Sequence, residues 1–167
     1  VHNAARSIFG FSHAGLVPDF GRIRHLVLYG RNIVESLMVK EVKAFMAALG
    51  NGMRCTYIDP RASATAAKAT RFWQVRPNSD YALNLALIHE VLRQKAYDEE
   101  FVERWVTGMD VLREAVRDTT PDWQEPHTGL PARELREFVA EIAAQAPQVI
   151  FNPGWMTARH NQSLYVR

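Results

Sequence analysis

Short apolar runs alternate along this chain with longer stretches in which apolar positions recur every three or four residues. His25-Leu26-Val27-Leu28-Tyr29 is compact, apolar and stopped by Gly30, the pattern of a buried strand. Residues 33–49 read as a helix, with Val34, Leu37, Met38, Phe45 and Ala48 near one face and Lys40, Glu41 and Lys43 elsewhere. Gly50-Asn51-Gly52 terminates it, and Arg54-Cys55-Thr56-Tyr57-Ile58 follows as a second strand closed by Asp59-Pro60. A short Ala-rich helix is expected over 61–68, then a third strand over Phe72-Trp73-Gln74-Val75, stopped by Pro77. Asn78 or Ser79 can cap a helix over 80–95, where Leu83, Leu87, Ile88, Val91 and Leu92 repeat at helical spacing. Asp98 opens another helix to about Val106, and a small one covers 109–116. Pro121 to Pro131 reads as a loop leading into an amphipathic helix over 132–146. Gln148-Val149-Ile150-Phe151 is the fourth strand, ended by Asn152-Pro153-Gly154, and a last helix is expected to begin near Thr157.

Strands alternating with helices imply β-α-β crossovers. The expected fold class is therefore α/β, a Rossmann-like three-layer sandwich with a mostly parallel sheet of about four strands and helices on both faces. Strands apolar on both sides suit a parallel sheet. Residues 1–24, broken by Gly10, Gly15, Pro18 and Gly21, read as an irregular lead-in. Residues 25–160 form the expected α/β domain, and 161–167 the truncated start of a further segment. The start at Val1 without an initiator Met suggests a processed or excised piece.

Composition narrows the function classes. The 167 residues are 47% hydrophobic and 23% charged, as in an ordinary globular protein. A net charge of +2 from 20 basic and 18 acidic residues is too balanced to argue for nucleic acid or a membrane surface. One cysteine, Cys55, can form neither an internal disulfide nor a multi-cysteine metal site, so no metal ligand is assigned within the chain. Mid-strand, it reads as a small buried hydrophobe. His89 reads as a packed or partly exposed helical histidine.

Candidate chemistry lies just after the strands, because ligands of open α/β sheets bind beyond the strands' carboxyl ends. Those segments are Gly30-Arg31-Asn32, Asp59-Pro60-Arg61, Arg76-Pro77-Asn78-Ser79-Asp80 and Asn152-Pro153-Gly154-Trp155. Asp59 and Asp80 can accept from ribose hydroxyls or from guanine N–H groups, and Arg31, Arg61 and Arg76 can pair with phosphate. Gly30 and Gly154 allow close approach to the backbone. Each also has a plain reading: Asp59-Pro60 as a helix start, Asp80 as a first-turn acid, Gly30 as a turn glycine. Gly-x-Gly-x-x-Gly, the phosphate-loop Gly-Lys-Ser/Thr and Gly-x-Ser-x-Gly are absent from the sequence.

Taken in order, these segments resemble one family. Tyr29-Gly30-Arg31-Asn32-Ile33-Val34-Glu35-Ser36 is similar to its first nucleotide loop, and Ile58-Asp59-Pro60-Arg61 with Thr65 and Ala69 to its second. Arg76-Pro77-Asn78-Ser79-Asp80 with Leu87-Ile88-His89 is similar to its third, where Gly-Thr-Asp is commoner than Asn-Ser-Asp. Tyr97-Asp98-Glu99-Glu100-Phe101-Val102, Thr107-Gly108 and Thr128-Gly129-Leu130-Pro131-Ala132 continue the order. This is the dimethyl-sulfoxide-reductase family of molybdenum or tungsten bis(pyranopterin guanine dinucleotide) oxidoreductases. Asn152-Pro153-Gly154-Trp155-Met156-Thr157-Ala158-Arg159-His160 is most similar to its polysulfide and thiosulfate reductase branch.

The resemblance implies an internal domain that holds the guanosine and pyrophosphate arm of one molybdopterin guanine dinucleotide and does not catalyse alone. It places Asp80 on the guanine, Asp59 and Arg61 near ribose and guanine, and Gly30 and Asn32 near the phosphates or linker. Ile58, Pro77, Gly154 and Trp155 complete the expected cofactor contacts, with Asp59, Arg61 and Asp80 lining one cleft. Arg159 and His160 are expected to face the substrate pocket of a parent enzyme that reduces a sulfur compound such as polysulfide or thiosulfate in anaerobic respiration. An Fe–S cluster and the metal ligand would lie in the parent outside this chain. Expected partners are the remaining domains of the parent polypeptide, an Fe–S electron-transfer subunit and a membrane anchor subunit, with no nucleic acid and with a periplasmic or membrane-associated parent. A stand-alone nucleotide-binding module and a non-catalytic scaffold remain the alternatives.

Overall fold

The computed structural model describes residues 18–36 and 38–154. The described chain is α/β, with a four-stranded parallel sheet and seven helices. The elements are β1 (His25–Tyr29), α1 (Ile33–Ser36), α2 (Val39–Gly50), β2 (Arg54–Ile58), β3 (Arg71–Trp73), α3 (Asp80–Arg93), α4 (Glu99–Trp105), α5 (Met109–Ala115), α6 (Pro121–Thr128), α7 (Ala132–Gln145) and β4 (Val149–Pro153). The described residues fall into two compact units, one of residues 18–74 and 148–154 without residue 37, and one of residues 75–147.

The first unit contains the sheet, in the order β3-β2-β1-β4. All pairings are parallel, with His25 opposite Arg54 and Val149, and Thr56 opposite Arg71. Every residue of β1 is buried, as expected for the central strand of a parallel sheet. Leu26 and Leu28 of β1 and Cys55 and Tyr57 of β2 share one face, because alternate residues point the same way. Phe45 and Ala48 of α2 join them, three residues apart on one side of that helix. The sequence pattern for 33–49 runs through a break. Met38 has φ −66° and ψ 148°, an extended conformation that a continuous helix cannot contain. The Ala-rich helix expected over 61–68 is a series of turns instead. Thr65 there uses its hydroxyl to reach Asn32 and Val34, outside its own segment, a competition with regular backbone bonding typical of threonine.

The second unit is helical. Leu83, Ala86, Leu87 and Glu90 of α3 are buried at helical spacing, as are Leu135, Phe138, Val139 and Ile142 of α7. Asp98 caps α4, its carboxylate accepting from Phe101 N at 2.9 Å. Residues 121–128, read from sequence as loop, form α6. Thr120 caps it through Trp123 N at 3.1 Å, Pro121 occupies its first turn, and Gly129 ends it at φ +81°. Ser79 precedes α3 but makes no side-chain cap; its hydroxyl donates to Arg76 O at 2.6 Å.

Buried polar groups join these helices. Glu90 accepts from Arg93 Nη2 and Gln94 Nε2, each at 2.6 Å, and Gln94 also donates to Arg136 O of α7 at 3.1 Å. Gln124 donates to Leu130 O at 2.8 Å and accepts from the Thr128 hydroxyl at 2.5 Å. His89 bonds Val116 O at 2.8 Å through Nδ1, the packed helical histidine that its position suggested. The short helices α4 and α5 have no buried residue, and Phe101, Trp105 and Val111 are exposed.

Candidate functional site

β1 is flanked by β2, next in sequence, on one side and by β4, last in sequence, on the other. The exits of β1 and β4 therefore border the point where strand order reverses, the place at which open α/β sheets bind ligands. Gly30 leaves β1 at φ +53°, a left-handed turn that glycine adopts at little cost, and its N–H donates to Ile58 O at 2.8 Å. Gly154 leaves β4 and donates to Tyr29 O at 2.6 Å. A Cβ on Gly154 would stand 2.3 Å from Gly30 O and 2.9 Å from Arg31 N, so only glycine lets the two exits come this close.

Arg31 follows directly. Its side chain is half-buried, and its buried Nε has no hydrogen-bond partner among the described residues. Burial lowers its pKa from the ordinary guanidinium value, with the Glu41 carboxylate opposing the shift. A buried guanidinium N–H without a partner is uncommon, because its desolvation is then offset by no hydrogen bond.

Asn32, expected near a ligand's phosphates, is buried, and both ends of its side-chain amide are occupied. Nδ2 donates to the Glu35 carboxylate, and Oδ1 accepts from the Thr65 hydroxyl at 2.7 Å. The Thr65 hydroxyl also accepts from Val34 N at 3.0 Å. Glu35 lies below the ordinary carboxylate range, chiefly because Asn32 donates to it, with Ala64 N and the Arg61 charge adding to the effect. The loop after β1 is thereby tied to the loop after β2. Thr65 and Glu35 were legible only as part of the resemblance, since no local pattern shows that residues some thirty positions apart share one hydrogen-bonded cluster.

In the loop after β2, one Asp59 oxygen accepts from Arg61 N and the other from the Tyr57 hydroxyl, both at 2.7 Å. Gln74 Nε2 donates to Pro60 O at 3.0 Å, closing the loop toward the end of β3. Asp59 is half-buried and the Arg61 side chain is exposed. Ile58 is fully buried, so its side chain belongs to the core and only its backbone faces the loop. Cys55 is also fully buried, and burial pushes its thiol up to about 12, as suits the inert small hydrophobe that sequence suggested.

Gly30, Asn32, Ile58, Asp59, Arg61 and Gly154 thus all lie in the first unit at the carboxyl ends of β1, β2 and β4. Pro77 and Asp80 belong to the second unit, Pro77 in an exposed turn and Asp80 in the first turn of α3. Arg76, a phosphate candidate by sequence, directs its guanidinium to Pro126 O near the end of α6, and its N–H to Thr128 O at 2.9 Å. Trp155, Arg159, His160 and the helix expected from Thr157 lie outside the described residues.

No family model matches the chain. It is 35% identical over 139 residues to the thiosulfate reductase molybdopterin-containing subunit PhsA of Salmonella typhimurium, an alignment covering 83% of this chain and 18% of that protein. It is 29% identical over 150 residues to acetylene hydratase of Syntrophotalea acetylenica, covering 90% of this chain and 20% of that one. The solved structure of acetylene hydratase from Pelobacter acetylenicus superposes with a TM-score of 0.82 at 28% identity, over 89% of this chain and 20% of that one. The chain thus spans about a fifth of the length of these relatives. Over this segment the chain's homologues are molybdopterin oxidoreductases of the dimethyl sulfoxide reductase family.

Proposed function

We propose that this segment holds the guanosine and pyrophosphate arm of a pyranopterin guanine dinucleotide within a larger molybdenum or tungsten oxidoreductase. The observation that carries the reading is the exit of β1, where Gly154 presses on Gly30 and the buried Arg31 Nε has no partner among the described residues. A pyrophosphate oxygen would satisfy that N–H and offset the buried charge. The donor set fits such a group. Gly30 allows close approach of the backbone, Arg31 and Arg61 supply positive charge, and the Asp59 oxygens keep lone pairs able to accept from ribose hydroxyls or guanine N–H groups. Asn32 serves through its backbone and through the bonds that set the loop. For Ile58, Pro77, Asp80 and Trp155 the assignment rests on the family resemblance. When bound, the cofactor supplies metal-centred redox chemistry, and this chain's residues supply position and charge.

A sulfur compound such as thiosulfate or polysulfide is the substrate class we propose, supported by the thiosulfate reductase relative and by the Arg159-His160 motif. An Arg159 guanidinium would attract such an anion, and His160 would donate a proton to a leaving thiolate. Because the relatives are about five times longer, the rest of a parent polypeptide is the proposed cover for the exposed Phe101, Trp105 and Val111 side chains. An Fe–S subunit and a membrane anchor subunit complete the proposed assembly, with a periplasmic or membrane-associated location. No described helix is long and apolar enough to cross a membrane.

The test is Arg31→Ala and Arg31→Lys in the full-length protein, with guanine nucleotide released by acid hydrolysis counted per polypeptide. Both variants are expected to lose occupancy, Ala more than Lys, because Lys keeps the charge but not the fork of donors. Wild-type occupancy in both would overturn the reading and favour a scaffold domain.

A further inference from the structure

Tyr57 has no place in the cofactor contacts that the resemblance implies, yet its hydroxyl meets one of them. We infer that Tyr57 is a positioning residue that holds the Asp59 carboxylate in the orientation from which it accepts the cofactor's nucleoside. The inference rests on the function proposed above and adds a determinant to the same site.

The geometry is built from the strand outward. Tyr57 and Asp59 are two residues apart at the end of β2, so their side chains leave the strand on the same side. The Tyr57 ring is fully buried in the core and stacks on Phe72 with centroids 5.8 Å apart. A ring held this way fixes where its hydroxyl sits. The Ser63 hydroxyl donates to the Tyr57 oxygen at 3.2 Å, leaving the phenolic proton for Asp59 Oδ2 at 2.7 Å. Arg61 N holds Oδ1 from the other side in an Asx-type turn. Arg61 N alone would leave the carboxylate free to swing about its other bond; the phenol removes that freedom. Burial, with the neighbouring Asp59 charge, raises the Tyr57 pKa well above its ordinary value, so the hydroxyl remains a donor throughout the physiological range. The chain Ser63, Tyr57, Asp59 thus carries order from the core into the loop, and a carboxylate oriented in advance loses less freedom when a ligand binds.

A double-mutant cycle in the full-length holoenzyme tests this. The readout is the rate at which guanine nucleotide is lost from the protein in mild urea, with the melting temperature followed in parallel. Tyr57→Phe keeps the stacked ring and removes only the hydroxyl, so it should leave the melting temperature near wild type and speed nucleotide loss about fivefold. Asp59→Ala should speed it further, and Tyr57→Phe should add nothing in the Asp59→Ala background. Fast loss in Asp59→Ala but wild-type loss in Tyr57→Phe would overturn the positioning role and leave the proposed function standing. Additive effects would likewise overturn it, since Tyr57 would then act independently of Asp59. Wild-type loss in Asp59→Ala would defeat the assignment of Asp59 to the cofactor, and the inference with it.

Discussion

The sheet unit and the helical unit use buried polar side chains for different ends. In the sheet unit one buried pair, His25 with Thr56, lies within the strands, and the others gather where strands end: Asn32 and Thr65 with the exposed Glu35 after β1, and Tyr57 with the half-buried Asp59 after β2. In the helical unit they sit where helices meet, with Glu90 and Gln94 joining α3 to α7, and Gln124 and Thr128 holding the turn from α6 into α7. Polar groups at helix junctions fix architecture. Polar groups at strand exits fix the loops that a ligand would meet. The difference teaches that a buried hydrogen bond points to function only through its location, since the chemistry of the bonds is much the same in both units.

The strand exits depend most on Gly154. Gly154→Ala places a Cβ 2.3 Å from Gly30 O, a backbone atom that cannot turn aside as a side chain would. The variant should be destabilised by roughly 1–3 kcal/mol or more, read as a fall in melting temperature, and should lose cofactor as the exits of β1 and β4 separate. Stability and occupancy unchanged from wild type would show that the strand exits tolerate separation.

Glu90 is the matching case in the helical unit. Glu90→Gln should cost roughly 1–3 kcal/mol without changing cofactor affinity, because the residue belongs to a junction. Burial alone would raise the Glu90 pKa, but hydrogen bonds from Arg93 and Gln94 and the charges of Arg93 and Arg136 outweigh it and hold the carboxyl below its ordinary range. A carboxyl depressed in the folded state contributes stability above its unfolded pKa of about 4.3 and loses it as pH falls through the folded value. Melts from pH 6 down to 3 should therefore converge for wild type and Glu90→Gln at the acid end. A gap that widened on acidification would contradict this account of Glu90.

Much of this was legible in the sequence, for identifiable reasons. All four strands were legible as short apolar runs, but β3 ends at Trp73, before the Gln74-Val75 expected in it, and β4 runs on through the Asn152-Pro153 expected to end it. α7 was legible because Leu135, Phe138, Val139 and Ile142 repeat at helical spacing. α6 was missed because Pro121, Pro126 and a polar composition suggest a loop. Pro121 sits in the first turn, where it needs no N–H partner, and Pro126 forfeits only one bond of a short helix capped by Thr120. The Ala-rich 61–68 segment invited the opposite error, since helix propensity is a weak prior. Among the candidate site residues, sequence placed Gly30, Asp59, Arg61 and Gly154 at strand ends. It could not show that the Asn32 amide is consumed internally, that Arg76 turns to Pro126 O, or that Tyr57 reaches Asp59, because each depends on contacts that local periodicity does not encode.

Whether this segment holds the guanine dinucleotide arm of the cofactor is decided by a structure of the full-length protein purified with its cofactor. The account predicts a pyrophosphate oxygen within hydrogen-bond distance of Arg31 Nε and a nucleoside hydroxyl or N–H on the Asp59 carboxylate. A guanine dinucleotide bound elsewhere, with Arg31 and Asp59 keeping only the partners described above, would contradict it.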